Sequence, residues 1–250
     1  GACRSVWVGE GMSTLPWLDV GRAAEEQLGA PQRLWLDRSA YAYHGVALAK
    51  TLLGSMQLKS ASRKRLGEGR FERRLRFSGG ADCTIVEPRD YSIGGLRLEC
   101  AAGVLFDPGA GPADLDVTTG PHYRLTTRFD SERIVGFEAR ATEPGAVIYS
   151  TDLPVHEVEL LGSFDEEAQR QRGVIAHMDA MKRVGFARLL DHIAEEAPHW
   201  GLLDGLDDMW VDYLLEKSGR YLATPLTSAH SGLARKLVGL TMAAALKVKG

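Results

Sequence analysis

Residues 59–77 read KSASRKRLGEGRFERRLRF. Within 59–76, eight Lys/Arg stand against two acids, Glu68 and Glu72. From Arg70 onward the residues alternate. Phe71, Leu75 and Phe77 share one side of an extended strand, and Glu72, Arg74 and Arg76 share the other. Such alternation predicts a strand with one face buried. Arg73 falls on the apolar side, where a guanidinium is costly unless an anion meets it. The first half, Lys59–Gly69, lacks clear alternation and reads as an exposed basic loop.

Opposite charge collects at 191–216, which holds eight acids and no Lys or Arg, although the whole chain carries a net charge of only −3. Asp204, Asp208, Asp212 and Glu216 recur at every fourth position, on one face of a helix over about Leu202–Lys217. Like charges so spaced cost a few tenths of a kcal/mol per pair. Water, Lys/Arg from elsewhere or a hard cation would relieve them. A solvated stripe is the expectation, with Asp204, Asp208 and Asp212 as weak metal-ligand candidates.

Working outward from 70–77, further strand candidates are Asp82–Glu87, Leu96–Phe106, His122–Asp130, Ile134–Glu143, Ala146–Thr151 and Val155–Leu161. Gly79-Gly80, Gly94-Gly95 and Asp130-Ser-Glu132 supply turn chemistry between them. Short connections predict hairpins. The expected fold class is α+β: a curved antiparallel β-sheet or partial barrel over about 70–162. It is flanked by N-terminal helices (Leu15–Leu28, Ser39–Leu58) and a C-terminal three-helix segment, the last helix at about 228–248. The organisation reads as 1–60 mixed and mainly helical, 61–162 sheet and 163–250 helical, together one structural unit. Ser163-Phe-Asp-Glu166 has the pattern of a capping box opening a long helix that ends at Pro198.

The composition is that of an ordinary globular chain: 44% hydrophobic, 25% charged, three cysteines. The cysteines (Cys3, Cys83, Cys100) are too few and too scattered for a disulfide framework or zinc site, and a reducing, cytoplasmic setting is expected. A chain beginning Gly-Ala-Cys leaves a processed product or lipoprotein open. No apolar run reaches transmembrane length. The balance of charge disfavours nucleic acid as a partner.

No strong catalytic motif is present, no cofactor is identified, and whether the chain is an enzyme stays open at this level. Placed on a strand, His156 shares a side with Val158 and Leu160, and Tyr123, Leu125, Thr127 and Phe129 share another. Arg73, Tyr123, Thr127 and His156 could thus converge in one interior. Arg73 and Thr127 would hold a ligand, and His156 with Tyr123 would supply acid–base chemistry. The leading function is binding, with or without transformation, of a small, partly apolar anionic molecule in a pocket between sheet and helices. The alternative is an interaction or assembly protein whose basic 59–76 stretch meets an acidic partner surface, including 191–216 of another copy. Ser5–Val8, Gly9-Glu-Gly11 and Leu34–Asp37 also have the outline of a dinucleotide-binding βαβ fragment, with Thr14 in place of the third glycine.

Overall fold

The computed structural model describes residues 10–40, 42–54, 57–107, 121–143, 145–171, 173–195 and 202–222. The expected strand at Ser5–Val8 and the expected helix at 228–248 lie outside them. A 3-10 turn at Gly11–Thr14 leads into α1 (Leu18–Leu28), β1 (Pro31–Asp37) and α2 (Ala42–Leu52). Eight strands follow: β2 (Leu58–Gly67), β3 (Arg70–Phe77), β4 (Asp82–Glu87), β5 (Gly95–Cys100), β6 (Gly103–Asp107), β7 (His122–Asp130), β8 (Arg133–Ala141) and β9 (Val147–Asp152). The chain then forms α3 (Val155–Leu161), α4 (Glu166–Arg170), α5 (Met178–Ala194), α6 (Leu202–Ser218) and β10 (Arg220–Leu222).

All ten strands join one open sheet in the order β10-β2-β3-β4-β1-β5-β6-β7-β8-β9. This corrects the expectation of a curved antiparallel sheet or barrel confined to 70–162. The sheet is mixed: β1 runs parallel to β4, and β6 parallel to β7. It draws strands from all three sequence zones, because β1 sits at its centre and β10 at its edge. Local sequence marks Arg33–Asp37 only as a short strand-like run. Its partners lie far along the chain, and short-range turn signals cannot reveal them.

Pairing aligns one apolar row across nine strands: Tyr221, Ala61, Leu75, Cys83, Leu34, Leu98, Leu105, Tyr123 and Ala141. Helices cover this face. α1 packs on β6, β8 and β9, α2 on β1, α3 on β8, and α6 on β2 and β10. The next row reads Arg63, Arg73, Ile85, Leu36, Leu96 and Asp107, so Arg73 does lie on the buried face, between Arg63 and Ile85. The opposite face carries charged pairs, among them Arg33–Glu99, Arg74–Glu72 and Arg140–Glu138.

Three local expectations also change. Lys59–Gly69 is not a loop; most of it lies in β2, whose hydrogen bonds to β3 do not depend on alternation. Val155–Leu161 is helix rather than strand. Pro154 precedes it with fixed φ, and Gly162 at φ 81° ends it, the usual proline-in, glycine-out asymmetry. The expected long helix after Ser163 is cut after α4, whose cap is Asp165, accepting from the Ala168 amide. The break has a cause in β6. The Asp107 carboxylate occupies the space where a side chain on Gly173 would lie, and it accepts the Ile175 amide hydrogen at 2.7 Å.

α6 is held by charge as well as by Val211 and Leu215. Lys50 of α2, 2% exposed, donates to Asp208, which is fully buried, and to Asp207 at 3.0 Å. Burial pulls the Lys50 ammonium down, but Asp208 and Asp207 outweigh it and leave its pKa above the ordinary value. No helix among the described residues is long and apolar enough to cross a membrane. Replacing Lys50 with Met strands the Asp208 charge in the core and should cost about 3–5 kcal/mol in urea unfolding. The double variant Lys50→Met/Asp208→Leu should recover most of that loss.

Candidate ligand site

The charges that the sequence sorts into two stretches meet each other. Arg73 donates its Nε to Glu87 at 2.8 Å, one terminal nitrogen to Asp212 and the other to Glu216 at 3.0 Å. Glu216 also pairs with Arg63 at 3.1 Å. Burial opposes the Arg73 charge, yet Glu87 and Asp212 more than compensate and its pKa lies above the ordinary value. Asp208, Asp212 and Glu216 of the acidic stripe are therefore counter-charges within the chain, with Asp208 buried and Glu216 still half-exposed. Lys50 and Arg73 engage Asp208 and Asp212, two of the three metal-ligand candidates, and no metal-binding cluster occurs among the described residues.

The predicted site residues do not come together. Arg73 on β3 and Tyr123 and Thr127 on β7 are five strand spacings apart, about 24 Å. Tyr123 is half-buried against the core, and Thr127 is buried on the same strand. His156 is exposed on α3, because its segment is helical and the inward position belongs to Glu157. Both Glu157 oxygens take the Arg188 fork, at 2.6 and 2.9 Å, and Arg188 also reaches Asp19 at 2.8 Å. Arg188 thus ties α3, α5 and α1 together.

A different constellation forms where the parallel neighbours β1 and β4 end. The Arg38 amide donates to the Val86 carbonyl at 3.0 Å, and the Asp90 amide to the Arg38 carbonyl at 2.6 Å. The two loops are packed so closely that a Cβ on Gly94 would lie 3.0 Å from the Arg38 carbonyl oxygen and 3.1 Å from that of Asp37. Glu87, behind this junction, also accepts the Ala42 amide at 2.7 Å. Arg38, Ala42 and Glu68 have φ of 51–52°, a left-handed conformation costing about 1–3 kcal/mol each for residues with a Cβ.

These loops enclose an open depression of about 360 Å³ lined by Arg38, Glu68, Arg70, Pro88, Arg89 and Asp90. Three guanidinium groups face two carboxylates there. Arg70 lies 3.4 Å from Glu68, and Arg89 stands 5.3 Å over the Tyr91 ring. Beneath the rim Ser39 is fully buried, and its hydroxyl has no hydrogen-bond partner among the described residues. Asp37 is also buried. Desolvation holds its carboxyl above the ordinary carboxylate range, although Arg38, 3.5 Å away, pulls it down. Strand ends at such a junction are common ligand sites in open sheets. In sequence, the signals were Arg38-Ser39 just after one strand and Pro88-Arg89-Asp90 just after another. Only the parallel pairing makes them neighbours.

Nearby, Glu10 is buried and receives the His44 Nδ1 at 3.0 Å. It also accepts the Met12 amide at 2.9 Å. This bond bears on the dinucleotide outline. An amide of the Gly11–Thr14 turn that would face a pyrophosphate is already engaged by a carboxylate, and β1 pairs in parallel with β4. The Met12 amide of this turn is thus not free to meet a phosphate, and Ser5–Gly9 of the outline lie outside the described residues.

No protein family and no curated protein matches the sequence. Solved structures do resemble the fold. One is an aldose-aldose oxidoreductase from Caulobacter crescentus complexed with glycerol, at TM-score 0.53 and 12% identity, covering 88% of this chain and 64% of that one. Another is an NAD binding oxidoreductase from Klebsiella pneumoniae, also at 0.53 and 12%, covering 87% and 65%. The chain thus spans less than two thirds of the length of these structures. At this identity they show a shared fold, and they too speak against the antiparallel barrel.

Asp37 supplies a pH test. A carboxyl whose folded pKa is raised binds its proton more tightly in the folded state. Its contribution is complete below the unfolded pKa and is lost as pH rises through the folded one. Asp37→Asn should therefore raise the urea midpoint at neutral pH, and the gain should vanish in acid.

Proposed function

We propose that this chain is the ligand-holding part of an oxidoreductase-type protein, and that it binds a small, hydroxylated, anionic molecule at the ends of β1 and β4. The observation that carries this reading is the depression lined by Arg38, Arg70 and Arg89, where positive charge exceeds negative by one. Planar guanidinium forks suit carboxylate or phosphate oxygens. Pro88 offers the apolar wall that a partly apolar ligand needs. Glu68 and Asp90 can accept from ligand hydroxyls, and the unpartnered Ser39 hydroxyl marks polar capacity beneath the rim.

The structural likeness supports the hydroxylated character of the ligand alone. The Caulobacter structure was solved with glycerol, a small polyol. The interaction reading gains no support, since the acidic helix answers the basic strands within one chain. A cytoplasmic, reducing setting suits the reading. Cys83 and Cys100 are buried free thiols; burial raises Cys83 well above its ordinary value and Cys100 to about 11, so both stay protonated and inert.

Thermal-shift and calorimetric titration with glycerol, tartrate and a sugar phosphate test the proposal. The two anions should stabilise the protein more than glycerol does, and salt should weaken them. Arg89→Ala and Arg70→Ala remove exposed side chains, so folding should persist while anion affinity falls about tenfold or more. Equal stabilisation of both variants and wild type would remove this site from consideration.

A further inference from the structure

We propose that the depression between the β7–β8 hairpin and α3 binds a free α-amino acid with a branched aliphatic side chain. It measures about 350 Å³, near the lower end for small-molecule pockets. It lies at least three strand spacings, about 14 Å, from the β1–β4 junction. The apolar lining is aliphatic throughout: Val135 of β8, Leu153 just after β9, and Val155 and Val158 of α3. Leu153 is buried and Val155 is 76% exposed, so this wall runs from the core to solvent. Its frame is fastened by the backbone. The Leu153 amide donates to the Val135 carbonyl at 2.9 Å, and the Phe164 amide to the Glu132 carbonyl at 2.8 Å, which ties the hairpin turn to the segment after α3.

The charged side chains select the ligand. Asp130 and Arg133 are cross-strand partners in the hairpin, and both line the depression. Residues so paired stand about 5 Å apart at Cβ. Yet they make no ion pair with each other or with any other group among the described residues. Asp152, the third charge in the lining, is already bonded to Arg128 at 2.6 Å. One cation and one carboxylate are left side by side, next to an aliphatic wall. A free amino acid carries the complementary set. Its carboxylate meets the Arg133 fork, its ammonium, one carbon away, meets Asp130, and its side chain meets the valines and Leu153. A fatty carboxylate would cover Asp130 without pairing it, and an alkylamine would do the same to Arg133. A peptide terminus brings only one of the two charges. A sugar needs ring-stacking or amide partners, and the lining holds no aromatic and no amide side chain.

Calorimetric titration of the full chain tests the assignment with four probes: leucine, isocaproate (no ammonium), isopentylamine (no carboxylate) and glycine (no side chain). Leucine should bind saturably, and each of the others at least about tenfold more weakly. Asp130, Arg133 and Val155 are exposed, so variants there should keep the circular dichroism of wild type. Arg133→Ala should weaken leucine and isocaproate about tenfold and leave isopentylamine unchanged. Asp130→Asn should weaken leucine and isopentylamine and leave isocaproate unchanged. Val155→Asp should weaken all three. No saturable leucine binding in the millimolar range overturns the proposal, as does leucine binding that survives both Arg133→Ala and Val155→Asp, or glycine binding as tightly as leucine. So does leucine binding that Arg89→Ala abolishes, because the amino acid would then sit at the β1–β4 junction.

Discussion

The structure depends on one interaction, the meeting of a buried arginine with the carboxylates of a helix far along the chain. Arg73 is buried on the helix-covered face of the sheet and would be prohibitive there alone. Glu87 neutralises it from the neighbouring strand, and Asp212 and Glu216 from α6. Lys50 repeats the arrangement one layer away with Asp207 and Asp208. Apolar burial alone would let α6 slide along the sheet. These ion pairs fix its register, because a shift of one residue would leave buried charges of both signs unmatched.

The same network shapes the candidate site. Glu87 is shared between Arg73 and the amide of Ala42, so the cation that anchors α6 also braces the loop after β1. Three left-handed non-glycine residues, Arg38, Ala42 and Glu68, surround this end of the sheet. Such conformations persist where packing overdetermines them. The braced junction of β1 and β4 is such a place, and the arginines it presents have a rigid footing.

Much of this was legible in the sequence, and the failures share a physical origin. Alternation located β3 and placed Arg73 on its apolar side, and helical spacing located α6 with Gly219 beyond its end. These are local signals. The α6 counter-ions of Arg73 are about 140 residues away, so sequence alone reads the acidic stripe as surface and the arginine as a ligand anchor. His156 failed for a narrower reason. Seven residues between Pro154 and Gly162 fit a strand and a two-turn helix about equally, and the terminal proline and glycine favour the helix. The site at the strand ends could not be found by motif, because Arg38, Arg70 and Arg89 come from three separate segments that the antiparallel β3–β4 and parallel β1–β4 pairings bring together.

The central position of β1 has a kinetic consequence. It is the first strand of the described chain, yet it pairs only with β4 and β5, which come much later in sequence. Until they form, β1 has both edges open and its leucines uncovered by any sheet neighbour. The β2–β3–β4 and β7–β8–β9 meanders can zip locally, but the insertion of β1 must close long loops before any pairing rewards it. Joining the two halves of the sheet around β1 therefore carries a larger loop-closure cost than the hairpin pairings. During that interval this strand is the part of the chain most exposed to pairing with the wrong partner.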